Sequence, residues 1–248
     1  MVVLKNAREL EIMKRAGQIS ARALKLGGEA VKPGVTTHEL DALMHDYIRS
    51  QGATPSFLHY GGFPASACIS INNEVIHGIP GKRVIHEGDI VSIDIGACYE
   101  GYHGDNAATF AAGSISGEAQ KLLDATRESL CRGIKAAQAG ARIGDISAAV
   151  QSYVEGCGFA VVKKYVGHGV GTKLHESPDV PNYGTAGRGI RLLPGMTIAI
   201  EPMVNIKGEG VKEQPDGWTV LTASGSLSAH FENTIAITES GPVILTEA

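Results

Sequence analysis

The feature that most constrains the fold of this 248-residue chain is a faint internal duplication. The segment GDIVSID, which ends at Asp94, recurs as GMTIAIE, which ends at Glu201. Each copy follows two segments with helical patterns. The pattern in each half therefore predicts two helices joined by a turn, followed by a strand that ends in a carboxylate. Two such halves indicate one α+β domain over residues 1–248, with a pseudo-twofold axis and a site where the halves meet. The earlier part of the repeat, 106 positions apart, matches Gly34, Glu39, Leu40 and Gly52 with Gly140, Asp145, Ile146 and Gly158.

Capping patterns and apolar spacing predict four helices. Thr36 and Glu39 have the spacing of a capping box, and apolar residues follow at helical intervals. Asn6 and Glu9 open an earlier helix that is expected to run to about Gly27. Together with the predicted strands, these helices favour an antiparallel sheet flanked by helices. The remaining predicted elements are helices over 116–140 and 144–158 and strands over 90–95, 107–110, 161–166, 196–200 and 234–238.

Composition is that of an ordinary globular protein and excludes several classes of function. Hydrophobic residues make up 43% and the net charge is −4, so there is no basic excess to bind nucleic-acid phosphates. The first 17 residues lack the apolar run of a signal peptide, and no stretch approaches the ~18 apolar residues of a membrane span. The four cysteines form no C-x-x-C pair. We therefore expect a cytoplasmic protein, without a specific nucleic-acid partner and without a membrane partner.

Asp94 is an ionisable residue inside the apolar run VSIDIG. A carboxylate there is costly unless it is paired or binds a metal. A chain reversal near Tyr99 and Glu100 would place Asp94 directly opposite Asp105. Directly opposed residues have β-carbons roughly 4.5–5.5 Å apart. Two carboxylates at that distance repel each other unless a cation lies between them.

A second pair of acids follows from the strongest hairpin signal in the chain, the sequence PDG at 215–217. A reversal centred on Asp216 and Gly217 places Glu201 opposite Glu232, although the glycines and serines in between could break the register. A single buried acid is more often a cap or a salt-bridge partner than a metal ligand. Two facing pairs in a duplicated chain nevertheless favour a metal site.

Histidines near these acids complete a ligand set of mixed nitrogen and oxygen donors. Carboxylates with one or two histidines suit Mn, Co, Fe or Zn, and two ions that share bridging carboxylates would sit ~3.5–4 Å apart and activate a water. His168 lies in VGHGVG, where the missing side chains let a ligand approach closely. A phosphate-binding loop is the weaker interpretation of this stretch, because it lacks a Walker or G-x-G-x-x-G pattern. His77 and His175 each precede turn-forming residues, and alone each would more often be an ordinary loop histidine.

Five strings of the sequence closely resemble type I methionine aminopeptidases. They are INNEVIHGIP, DIVSIDIGACYEGYHGD, GHGVGTKLHESP, TIAIEPMV and SAHFENTIAIT, and the similarity runs in order from about Asn6 to the C-terminus. The resemblance implies the pita-bread metallopeptidase fold, with a central dinuclear metal site between two pseudo-symmetric halves. It also implies removal of the N-terminal methionine from nascent polypeptides, with preference for a small second residue.

Roles for individual residues also follow from the resemblance. It implies that Asp94 chelates one ion and His168 the other, that Asp105 and Glu232 bridge them, and that Glu201 is both ligand and proton shuttle. His175 would stabilise the oxyanion of the tetrahedral intermediate, and His77 would contact the substrate nitrogen. The methionine pocket would be formed by Tyr60, Phe63, Cys68, Leu174, His175 and Trp218.

Two positions depart from the family pattern and bear on the pocket. Leu174 stands where relatives commonly carry phenylalanine, and Phe57 stands where many have a smaller residue. These departures leave the reaction class intact but make the shape of the pocket an open question. The metal identity and the tolerance for the second substrate residue are also open at this point.

Two alternative functions share the same fold. An X-Pro aminopeptidase or prolidase is disfavoured because such enzymes usually carry an additional N-terminal domain. A non-catalytic binding module is disfavoured because all five ligand positions and both accessory histidines are retained. We expect a monomer, although the sequence does not exclude a dimer, and contact with the ribosome is left open.

Overall fold

The computed structural model of the protein describes residues 2–248. Its helices confirm the predicted ones, with the third ending four residues earlier than expected, at Ala136. The four helices are α1 (Ala7–Ala30), α2 (Thr37–Ser50), α3 (Gly117–Ala136) and α4 (Ile143–Gly156). Among residues 2–248, no helix is both long enough and apolar enough to cross a bilayer.

The duplicated positions perform the same capping task in both halves. The Glu39 carboxylate accepts a hydrogen bond from Thr36 N at 2.7 Å, and the Asp145 carboxylate accepts one from Arg142 N at 2.7 Å. In each half, this hydrogen bond links the first turn of a helix to its N-cap residue. Gly34 and Gly140 precede these helices with φ of +95° and +86°, a conformation that favours glycine.

The strands are short except where they build the central sheet. They are β1 (Thr54–Pro55), β2 (Ala67–Ile71), β3 (Glu74–Ile76), β4 (Ile90–Tyr99), β5 (Tyr102–Ala111), β6 (Ala160–Val161), β7 (Gly167–Gly169), β8 (Glu176–Val180), β9 (Thr197–Ile200), β10 (Met203–Asn205), β11 (Val211–Glu213), β12 (Val220–Thr222), β13 (Ser228–His230), β14 (Glu232–Thr238) and β15 (Gly241–Ile244). The predicted strand over 161–166 is wrong. Only β6 forms there, in a three-stranded sheet with β10 and β13, and the next strand, β7, belongs to the central sheet.

A nine-stranded antiparallel sheet joins the two halves in the order β1-β4-β5-β14-β9-β7-β8, with β2 beside β4 and β15 beside β14. Helices α1 and α2 pack on the β2–β4 side, and helices α3 and α4 pack on the β9–β14 side, each over its own apolar core. The halves meet where β5 pairs with β14. There the Thr234 hydroxyl accepts from Asp105 N at 3.0 Å and donates to Asp105 O at 2.8 Å.

Successive side chains along a strand point to opposite faces, so core residues and site residues lie on opposite faces of the sheet. On β4, Ile93 and Ile95 face the helices as part of the apolar core, so Asp94 between them faces the opposite side of the sheet. On β14, Ile235 and Ile237 are core residues in the same way. Glu232 stands an odd number of positions from both, so it also projects from the face opposite the helices.

Candidate active site

The β4–β5 hairpin brings Asp94 and Asp105 to one face, but with a register different from the predicted one. The turn lies at Glu100 and Gly101, whose φ values of +48° and +81° suit a two-residue turn of the primed type. Asp94 is therefore paired with Ala107, and Asp105 with Gly96. The prediction of direct opposition is wrong because it centred the reversal one residue too early. The error moves the partner by two positions, so the carboxylates remain diagonal neighbours on the same face.

The register of the second acid pair is confirmed. Ile200 pairs with Asn233 on one side of Glu201, and Met203 pairs with His230 on the other side in the same register. Glu201 therefore faces Glu232, although it lies just beyond the end of β9. The ladder leaves the central sheet at this point, where Pro202 follows Glu201. The Glu201 side chain lines the same cavity as Asp94, Asp105 and Glu232.

His168 enters the cluster from β7. Its Nδ1 lies 2.9 Å from Gly169 O, a bond in which the ring nitrogen is the donor, so the lone pair is on Nε2. That Nε2 lies 3.5 Å from Glu201 Oε1 and 3.8 Å from Asp105 Oδ2. A β-carbon at Gly167 would collide with the carbonyl oxygen of Ala199. The glycine before His168 is therefore needed for close packing of β7 against β9.

These residues fit divalent cations. One ligand atom from each of Asp105, His168 and Glu232 lies within 4.8 Å of the other two. Asp94 Oδ1, Asp105 Oδ1 and Glu232 Oε1 are buried, and among residues 2–248 they have no hydrogen-bond partner. Buried polar atoms in native proteins normally have partners, and a metal ion is one way to supply them.

The pKa values of the residues in the cluster also favour a cation site. Burial raises the pKa of Asp94 to about 7. Burial, and then the charges of the neighbouring acids, raises the pKa of Asp105, Glu201 and Glu232 well above the usual range. Burial lowers the pKa of His168 to about 3, which keeps its imidazole neutral. A bound cation would favour the ionised carboxylates and the neutral imidazole that ligation requires.

His230 is a site residue that the sequence reasoning missed. It is 1% exposed, and its Nε2 lies 3.8 Å from Glu201 Oε2 and 4.0 Å from Glu232 Oε2. Within the described part of the chain this Nε2 has no hydrogen-bond partner. Burial, followed by the charge of His77, lowers its pKa to about 3. The available signal was spacing, because His230 and Glu232 lie two positions apart and so share a face of an extended chain.

His175 faces the cluster from the loop between β7 and β8. Its ring centroid lies 4.0 Å from that of His168, and its Nδ1 lies 2.8 Å from the Tyr60 hydroxyl. Burial lowers the pKa of His175 and raises that of Tyr60. The phenol is therefore protonated and the imidazole neutral near pH 7.

His77 lines the same cavity and has an unusual backbone conformation. Its φ of +60° is uncommon for a residue with a side chain, and such residues cluster at functional sites. The Tyr165 and Trp218 rings meet its ring at nearly right angles, at centroid distances of 5.9 and 6.2 Å. Burial, and then His175, lowers the pKa of His77 to about 4. The side chain is consequently a neutral hydrogen-bonding group.

A cavity of about 160 Å³ opens directly onto the acids. Cys68 pairs with Asp94 across β2 and β4, which places the apolar wall next to the carboxylates. Phe57 and Leu174, the two departures from the family pattern, belong to the same apolar cluster. All predicted pocket residues line this cavity, namely Tyr60, Phe63, Cys68, Leu174, His175 and Trp218, and so does Phe57.

Comparison with known proteins places the geometry in a family. Residues 11–239 match the sequence model of metallopeptidase family M24. The chain belongs to metallopeptidase family M24. The match of this M24 member to the methionine aminopeptidase of Clostridium acetobutylicum is 55% identical over 247 residues, covering 99% of each chain. Its match to methionine aminopeptidase 1 of Bacillus subtilis is 52% identical over 246 residues, again covering 99% of each chain.

Solved M24 structures separate into near and distant relatives. The crystal structure of the methionine aminopeptidase of Thermotoga maritima superposes with a TM-score of 0.99 at 45% identity, covering 100% of both chains. The prolidase of Pyrococcus furiosus has a TM-score of 0.82 at 25% identity, and 66% of its chain is covered. The predicted resemblance to type I methionine aminopeptidases and the pita-bread fold are confirmed.

Proposed function

We propose that this M24 metallopeptidase removes the N-terminal methionine from polypeptides and favours a small second residue. The observation that carries the proposal is the cavity with apolar walls that ends on His168 and four carboxylates, of which those of Asp105 and Glu232 are buried. A side chain in that cavity would hold the first peptide bond of the substrate beside the ligand cluster. The methionine aminopeptidases that match this chain over almost its whole length support the same reaction.

Five residues would hold the metal, and we propose that they hold two divalent ions of Mn, Co, Fe or Zn. When bound, these ions would act as Lewis acids. They would lower the pKa of water and bind the α-amine and the scissile carbonyl of the substrate. The protein provides the ligands and keeps bulk water from the buried cluster. The proposed ligands are Asp94, Asp105, His168, Glu201 and Glu232.

Proton transfer is assigned to Glu201. Its carboxylate lies beyond the end of a strand and next to His168, so it can accept a proton on the open side of the cluster and return it to the leaving amine. A positioned carboxylate can serve as general base and then as general acid. This assignment makes Glu201 a ligand and a base at once.

His175 is the proposed donor to the oxyanion. If the Tyr60 hydroxyl donates to Nδ1, the single proton of the neutral imidazole is on Nε2, on the other side of the ring. A donor held in place before the reaction stabilises charge that develops in the transition state. His77, which lines the same cavity, is the proposed contact for the substrate nitrogen.

The shape of the pocket favours methionine. Phe63 and Trp218 meet edge to face with centroids 5.1 Å apart and form one wall. Leu174 closes another wall with 2% exposure. A flexible thioether can fill an irregular apolar pocket and contact aromatic ring edges favourably. The prolidase of Pyrococcus furiosus resembles this chain only at a distance, with 25% identity.

Hydrolysis of Met-Ala-Ser and Ala-Pro-Ala by the metal-loaded protein tests the reaction. We expect cleavage of the first peptide with release of methionine, and preference for the second would establish the X-Pro alternative instead. Treatment with a chelator should abolish cleavage, and added divalent metal should restore it. A protein that binds no metal and regains no activity would be the non-catalytic binding module.

The same proposal extends to the setting of the enzyme. We propose one catalytic domain over residues 1–248, active as a monomer in the cytoplasm, where nascent N-termini are available. The four cysteines are free within the described residues, which suits a reducing compartment. Sedimentation of the purified chain tests the monomer, and a larger assembly would contradict it.

A further inference from the structure

A buried ion pair outside the ligand cluster joins the N-terminal segment to the loop that carries His175. Lys5 Nζ lies 2.7 Å from Glu176 Oε2, and the two side chains are only 3% and 10% exposed. Lysine and glutamate are almost never so deeply buried unless they are paired. Lys5 also lies outside residues 11–239, the part of the chain that matches the family.

The loop between β7 and β8 spans residues 170–175, and we call it the His175 loop. The Glu176 carboxylate accepts hydrogen bonds from this loop. Its Oε1 accepts from Lys173 N at 3.2 Å and from the Thr172 hydroxyl at 3.5 Å. A β-carbon at Gly171 would collide with the same carboxylate. The Glu176 side chain therefore folds back over the loop and closes it immediately beside His175.

The backbone of Lys5 is hydrogen-bonded to the segment that precedes β9 and Glu201. Its backbone N donates to Gly195 O at 2.7 Å, and a β-carbon at Gly195 would lie 2.9 Å from Lys5 O. Gly195 precedes β9, the strand after which Glu201 follows. One residue thus connects the His175 loop with the strand that presents a predicted metal ligand.

The Glu176 carboxyl is held in its ionised form. Burial opposes ionisation of Glu176, but the hydrogen bonds from Lys5 and Lys173 outweigh it and hold the pKa of the carboxyl below its usual value. Removing one partner of a buried ion pair leaves an uncompensated charge, so the loop would have to move to solvate it. A shift of about 1 Å in a reacting group can cost roughly 100-fold in rate.

We propose that Lys5 is a positioning residue, which acts through Glu176 to hold His175 against the metal site. Where it concerns turnover, this inference rests on the proposed function. Lys5 touches neither substrate nor metal in this arrangement, and its effect is transmitted by the His175 loop.

Kinetics of Lys5→Met and Glu176→Gln in the metal-loaded full chain test the inference. We expect kcat on Met-Ala-Ser to fall about 10- to 100-fold with KM within about twofold. The double variant should lose no more than the worse single variant, because both changes remove one interaction. The control is Arg83→Met, which removes a 2.6 Å ion pair with Glu74 in which neither partner belongs to the His175 loop, and its kcat should stay within about twofold.

Amide hydrogen exchange of the metal-free chain provides a second measurement that needs no activity. We expect exchange in residues 170–177 to rise about tenfold or more in Lys5→Met and to stay unchanged in Arg83→Met. Unchanged exchange there, or a kcat equal to that of the wild type, would overturn the inference. If Lys5→Met does not fold, Glu176→Gln, which keeps the shape of the side chain, takes its place in both measurements. An inactive wild type would contradict the proposed function, while exchange would still decide whether Lys5 holds the loop.

Discussion

The hydroxyl oxygen of Tyr60 lies 2.8 Å from Nδ1 of His175, and the two rings are 5.2 Å apart between centroids. Tyr60 comes from a 3₁₀ turn in the first half of the chain, and His175 comes from a loop in the second half. A pocket residue therefore also orients an imidazole of the site. The contact joins the proposed methionine pocket to the proposed stabilisation of the oxyanion.

Tyr60→Phe separates these two roles because it keeps the ring and removes the hydroxyl. We expect kcat to fall roughly 3- to 10-fold, the scale of one neutral hydrogen bond of ~0.5–1.5 kcal/mol, with little change in KM. Steady-state kinetics on Met-Ala-Ser measures both constants. Phe63→Leu, which alters the pocket wall at a ring that packs on Trp218, should instead raise KM. A raised KM with normal kcat in Tyr60→Phe would limit Tyr60 to the pocket.

Asp105→Asn should release the metal and abolish turnover. The neutral amide is a poor bridging ligand, and Asp105 lies in the three-residue group whose ligand atoms converge. Elemental analysis after gentle purification measures the metal, and the peptide assay measures turnover. Asp124→Asn, on the exposed side of α3, is the matched control and should retain both. Full metal occupancy with near-normal kcat would disprove a bridging role.

His77→Ala should keep the metal and lose activity. We expect kcat to fall by roughly 10²–10⁴, the usual scale for one hydrogen-bonding or acid–base group. Because His77 has a φ of +60°, His77→Asn is the better-tolerated companion variant, since asparagine adopts this region more readily than alanine. Loss of metal from both variants would place His77 among the ligands.

Removal of the metal should change how stability depends on pH. In the metal-free chain, burial raises the pKa of Asp94 to about 7, well above its value in the unfolded chain. Such a group stabilises the fold at low pH, and its contribution is lost as the pH rises through 7. The buried histidines have lowered pKa values and act in the opposite sense, but only below about pH 6.5, where unfolded histidine becomes charged.

Thermal unfolding between pH 6.5 and 8 measures this prediction. The Tm of the metal-free chain should fall as the pH rises, because the acids must ionise while they remain buried. With divalent metal bound, the carboxylates are already ionised, and the fall should disappear or reverse. Asp94→Asn should weaken the slope in the metal-free chain. A metal-free Tm that is constant over this range would show that the acids ionise freely without a cation.

Local sequence signals were sufficient for the helices and for the faces of the strands. The capping residues at Asn6, Thr36 and Ser116 are satisfied by interactions within one turn, so they can be identified without the rest of the fold. The prediction that Asp94 and Asp105 share a face followed from the alternation of side chains along a strand. An error in register that shifts the pairing by two positions leaves both side chains on that face. Asp94 and Asp105 therefore stayed on one face although their predicted opposition was wrong.

The sequence by itself determined the fold family, and it predicted the four acids and His168 that line one cavity, because these depend on alternation, turn chemistry and matching motifs along the chain. Only the tertiary structure decided what meets across the halves. His230 beside Glu201, Tyr60 on His175 and Lys5 on Glu176 join residues from elements separated in sequence, and no local pattern encodes those distances. The physical reason is that helix caps and hairpin registers are set by neighbours a few residues away. The position of one half against the other is set by packing of the sheet and both apolar cores.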